Sequence, residues 1–162
     1  MNKRARQYIG LVVAVIGYYI IHEGAHFACA LCYGSFKAVN FMGLGVQIDI
    51  HGDSLSDVQL GVFCFVGSAA ALVCAYLLVL LIGRICSVGN KIIRACAYYL
   101  TIALLFIDPL YLSVLCGLFG GGDMNGISLI IPELAARIMY GMLFSVNVFL
   151  VVLPRYIESF RE

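Results

Sequence analysis

His22-Glu23-Gly24-Ala25-His26 is the stretch of this chain whose residue types and spacing can do chemistry. On a helix, residues four apart share a face, so H-E-x-x-H aims two imidazoles at one metal ion. Glu23 lies about 100° round the helix, where its carboxylate can reach a water bound to that ion. Gly24 and Ala25 are small and leave room for a metal, a water and a substrate backbone. The motif sits inside an apolar run, Tyr8 to Leu31, long enough to cross a bilayer. An ionisable group at such a depth costs about 2.5–3.5 kcal/mol on insertion scales and marks a functional site by default. The sequence has 3 His, and two of them fall in this motif. The alternative is a helix whose His and Glu only hydrogen-bond to neighbouring helices.

A catalytic zinc takes three protein ligands and keeps a fourth position open. The compact pattern H-E-x-x-H-x-x-G-x-x-H fails, because Cys29 and Cys32 stand where Gly and His belong. No Glu follows Glu23 until Glu133. Asp49, Asp53 and Asp57 lie in a polar loop and read as solvated surface groups. Asp108, Asp123 and Glu133 remain. Asp123 is favoured as the third ligand because its flanking glycines let backbone approach a metal. Asp108, deep in a span, is the alternative, and Glu133 reads as an interfacial charge. His51 reads as a surface residue. Cys29-x-x-Cys32 lacks the second pair that a closed zinc site needs.

The elements that must position these residues follow from composition. Of 162 residues, 63% are hydrophobic and 12% charged, with a mean hydropathy of +1.02. That describes an all-α polytopic membrane protein, one integral-membrane domain over residues 1–162. The net charge of +1 offers no basic surface for nucleic acid. The 7 Cys are scattered through apolar runs and form no disulfide framework. The basic start, Lys3-Arg4-Ala5-Arg6, resembles that of a signal peptide. The run after it is too long and has no small-residue cleavage site, so it is expected to stay as a mature span.

About four transmembrane helices are expected: Tyr8–Leu31, Val58–Ile82, Ala95–Leu118 and Leu134–Leu153. Between the first two, Val46-Gln47-Ile48-Asp49-Ile50-His51 alternates with period two, which predicts a short β-strand or hairpin. Gly67-Ser68-Ala69-Ala70-Ala71 lets the second helix approach its neighbours closely, the metal helix among them. Arg84–Arg94 is expected as a short polar connection. Pro109 should kink the third helix and free a carbonyl. Phe119–Ile127 reads as an irregular Gly-rich turn, and Arg155–Glu162 as a polar tail. Clustered Lys and Arg place both termini and the Arg84–Arg94 connection in the cytoplasm. HEGAH and Asp123 then share the outer half of the membrane.

H-E-x-x-H on an early span, the small-residue run in the next, and Asp108-Pro109 followed by Gly122-Asp123-Met124-Asn125-Gly126 resemble the site-2 protease family of intramembrane zinc metalloproteases. That family carries a third Asp ligand in an N-P…L-D-G element. Here Asp replaces Asn before Pro, the gap to the second Asp is longer, and Met124-Asn125 separate Asp123 from its Gly. The resemblance implies a compact member without a PDZ or cystathionine-β-synthase domain, and the small, bare domain suggests the cell membrane of a bacterium. It implies one Zn2+ per chain on His22, His26 and Asp123, with Asp108 as the alternative. Glu23 would be the general base, and the partner a transmembrane protein substrate cut within or beside its span. It also implies an active site nearer the cytoplasm than the charge pattern does. Two other functions fit the same residues: a catalytically silent membrane scaffold or regulator of this fold, and a small ion transporter.

Overall fold

The computed structural model describes residues 2–42, 45–118 and 122–152. Four helices are long and apolar enough to cross a membrane, and a two-stranded antiparallel hairpin joins the first two. Helix α1, Lys3–Tyr33, begins at Asn2, whose Oδ1 accepts from the Ala5 N–H at 2.8 Å. It ends at Gly34, whose φ of 64° is left-handed, a conformation that favours glycine. Its buried residues are Gly10, Ala14, Tyr18, His22, His26 and Ala30, one every fourth position. This single stripe therefore turns the two motif histidines toward the other helices, while residues off the stripe such as Leu11, Ile16 and Ile20 are exposed.

Strands β1, Phe36–Met42, and β2, Gly45–Ile50, form the hairpin. Val39 faces Ile48 and Asn40 faces Gln47 across it. A register irregularity between Phe36 and Ala38 marks the start of β1. Lys37 lies beside it, with its Nζ 2.9 Å from Asp49 Oδ2. The Lys37 hydrogen bond holds the Asp49 carboxyl below its usual range.

Helix α2, Asp57–Leu80, opens with a reciprocal cap between Ser56 and Gln59. Its small residues Gly67, Ser68, Ala71 and Ala75 are buried against neighbours. Part of the expected polar connection is a short helix, α3, Ile82–Ser87. Ile82, Ile85 and Cys86 suit a helical turn, and the polar break comes later, at Val88–Asn90. Helix α4, Lys91–Leu110, starts at Asn90 and packs against α1 and α2.

Pro109 does not end α4. The helix passes through it and widens into a π-helical turn, Tyr111–Leu115, where the Cys116 N–H donates to the Tyr111 carbonyl at 2.8 Å. Pro109 has no N–H for the Leu105 carbonyl one turn back. Asn147 Nδ2 from the last helix donates to that oxygen instead, at 2.7 Å, and Asn147 Oδ1 accepts from Tyr76 at 2.8 Å. Asp123–Ile127 is a short helix, α5, where an irregular turn was expected. Burial of Met124 and Ile127 in the core favours it. Helix α6, Glu133–Val152, closes the bundle. Leu153, the Arg155–Glu162 tail and residues 119–121 of the Gly-rich stretch lie outside the described residues. Large apolar side chains such as Leu11, Ile16, Val73, Leu80, Leu134 and Phe149 line the outer faces, as lipid contact requires.

Candidate metal centre

Three side chains from two distant pieces of chain converge at the hairpin end of the bundle. His22 Nε2 and His26 Nε2 lie 3.2 Å apart. Asp123 Oδ2 lies 3.2 Å from the first and 3.5 Å from the second. For a tetrahedral ion with N and O ligands about 2.0–2.1 Å away, ligand atoms stand about 3.3–3.4 Å apart. The three atoms thus outline one face of such a polyhedron. They are the one trio of His, Cys, Asp or Glu among the described residues that could hold a metal ion.

The chemistry of the donors points the same way. His22 Nδ1 is 3.2 Å from Asp108 Oδ2. A carboxylate only accepts, so this nitrogen carries a hydrogen, and with a metal ion between Nε2 and Asp123 the other nitrogen would present its lone pair. That lone pair meets the Asp123 carboxylate and the second imidazole. Such a cluster repels itself unless protons or a cation stand between its members. Burial alone would raise the Asp123 carboxyl, and hydrogen bonding to His22 and His26 outweighs it, holding the group at about 2.

Each side chain is positioned by its surroundings. Gly67 of α2 faces both imidazoles; a Cβ there would stand 2.8 Å from His22 Nε2 and closer still to His26 Nε2. Ser68, the next residue, hydrogen-bonds Tyr140 of α6 at 2.6 Å and fixes the rotation of α2 that presents Gly67. Phe63 packs on the His26 ring, with centroids 4.8 Å apart. Gly122, at φ 48°, turns the chain into α5 beside the Tyr111 hydroxyl, and so delivers Asp123. His26 Nδ1 is buried and has no hydrogen-bond partner.

Glu23 is half-buried, and its Oε2 accepts the Ile48 N–H of β2 at 3.1 Å. Asp108 is almost fully buried and stands on the Nδ1 side of His22, away from the trio. Its other oxygen accepts from Tyr18 at 2.5 Å. Glu133 is exposed and pairs with Arg137 one turn along α6, at 2.7 Å. His51 is exposed, and Cys29 and Cys32 are free thiols.

No family model, curated protein or solved structure matches this chain.

Tyr18 and Gly67 are the members of the site that residue type alone does not announce. Tyr18 could have been found from its spacing, four residues before His22 and eight before His26. Gly67 lies in the small-residue run, but a run of small residues does not say which of them meets the imidazoles.

Proposed function

We propose that this chain is an intramembrane zinc metalloprotease of the site-2 protease type, hydrolysing a peptide bond in or beside the transmembrane segment of a protein substrate. The observation that carries this is the trio His22, His26 and Asp123, spaced as a tetrahedral ligand face and followed around α1 by a half-buried carboxylate, Glu23. Two His and one carboxylate with an open fourth position are a donor set used by catalytic zinc. Bound zinc supplies Lewis acidity, polarising a carbonyl and lowering the pKa of water to about 7. Glu23 takes one proton from the attacking water as its oxygen joins the carbonyl carbon. Glu23 then gives that proton to the amine as the C–N bond breaks. The hairpin lies beside Glu23, where an unwound substrate segment can lie along β2. Lys3, Arg4, Arg6, Arg84, Lys91 and Arg94 favour a cytoplasmic N-terminus and α3 connection.

The test combines metal content with cleavage. Purified wild type should hold about one zinc per chain, by the one-face geometry above. His22→Ala and Asp123→Ala should lose it. Glu23→Gln should keep it while turnover falls by at least about 10²–10⁴-fold, the usual worth of a general base. Cleavage is read as new peptide termini in membranes of cells expressing wild type but not Glu23→Gln. Zinc without any such termini would leave a scaffold or regulator; no zinc in folded, metal-replete protein would remove the protease.

A further inference from the structure

The site holds a buried carboxylate that is not in the trio. Asp108 is 2% exposed and lies on a span, where an unsatisfied carboxylate is costly. Both of its oxygens are committed: Oδ1 accepts from the Tyr18 hydroxyl at 2.5 Å, and Oδ2 lies 3.2 Å from His22 Nδ1. The Tyr18 hydroxyl is itself 3.4 Å from that same nitrogen. Tyr18 and His22 are one turn apart on α1, and Asp108 reaches them both from α4.

We infer that Asp108 and Tyr18 are a positioning pair for His22, holding its ring in the Nδ1–H form with Nε2 turned to the metal, a role that presupposes the metal site proposed above. Three observations meet here. With Nε2 turned to a metal shared with Asp123, the remaining hydrogen of His22 lies on Nδ1, where Asp108 accepts it. Tyr18 takes the second oxygen, so Asp108 stays on the Nδ1 side and does not swing into the ligand position. The backbone that carries Asp108 is fixed in turn, since Asn147 occupies the Leu105 carbonyl released by Pro109. Carboxylates that hold a ligand histidine in this way typically account for 10–100-fold in metal affinity. His26 has no such support, because its Nδ1 is without a partner. The two imidazoles are therefore unequal: His22 is held at Nδ1 by a carboxylate, and His26 is held on its ring faces by Phe63 and the His22 ring, with no partner at Nδ1.

The experiment uses the full chain in detergent, labelled with ¹⁵N-histidine, and zinc competition against a chelator. In wild type the ¹⁵N shifts should report His22 as the Nδ1–H tautomer once zinc is bound. Asp108→Leu should weaken zinc by about 10–100-fold. Asp108→Asn, whose amide oxygen still accepts from Nδ1–H, should keep the tautomer and recover most of that loss. Tyr18→Phe should lose less than Asp108→Leu, because the carboxylate remains. Asp108→Asn and Tyr18→Phe are nearly isosteric, so they carry the test if Asp108→Leu does not fold. Wild-type affinity in Asp108→Leu, or an Nε2–H tautomer in zinc-loaded wild type, would overturn the pair. Complete zinc loss in both Asp108 variants, with zinc retained in Asp123→Ala, would make Asp108 a ligand and overturn it too. Wild type that binds no zinc removes the metal site and the pair's role with it.

Discussion

At the scale of the residue, the site depends on one side chain that is missing. Gly67 leaves open the space that the two Nε2 atoms face, and a methyl group there would overlap both. The overlapping atoms are the tips of imidazole rings, which can swing, rather than backbone. Gly67→Ala should therefore keep the fold, at an overpacking cost of about 1–3 kcal/mol, while the zinc content that the proposed site requires, about one per chain, falls toward none. Zinc analysis beside a thermal melt separates the two effects. A variant with wild-type zinc would show that Gly67 does not bound the site. His22 and His26 were legible in the sequence because helix periodicity is local: four residues apart means one face. Asp123 was legible only as a candidate, since its glycine neighbours suggest approach to something without saying what. Asp108 was legible as an ionisable group needing a partner. Which side of which imidazole it meets depends on how α4 packs against α1, and no local pattern encodes that.

At the scale of the element, Pro109 shows how far a local rule reaches. The sequence says that a carbonyl is freed one turn before it. It does not say that Asn147, 42 positions after Leu105, donates to that carbonyl. Asn147→Leu should destabilise the bundle by about 1–3 kcal/mol, the cost of leaving such a group unsatisfied. Pro109→Ala restores a backbone N–H able to reach the Leu105 carbonyl. The double variant should therefore be less destabilised than the sum of the two single changes, in a double-mutant cycle read by unfolding in detergent. Strict additivity would show that Asn147 does not stand in for the missing N–H. The short helix α5 was not legible either. Five residues with a glycine before and another inside carry little helical signal, and burial of Met124 and Ile127 decides the matter.

At the scale of the whole molecule, the four spans and the hairpin were readable because lipid imposes long apolar runs and glycines punctuate them. The closure of the bundle was not. It rests on pairs far apart in sequence: Ser68 with Tyr140, Tyr76 with Asn147, Tyr18 with Asp108. These join α2 to α6 and α1 to α4, and together they fix the frame within which the trio meets. The hairpin is tied to that frame by a different kind of link, the Ile48 N–H on the Glu23 carboxylate. Ile48 sits opposite Val39, and its N–H points away from β1 toward α1. A backbone amide bonded to a carboxylate exchanges its hydrogen with solvent slowly, and it quickens when the carboxylate turns away. Ile48 is therefore a built-in clock for Glu23. Its deuterium uptake should speed up in Glu23→Ala, while the amides of Gln47 and Asp49, which face β1, keep their rates. Equal acceleration at all three would mean that the whole strand loosens rather than one bond. The same amide can then be followed as a peptide from a membrane protein is added, so that any movement of the Glu23 carboxylate is timed with no label attached to it.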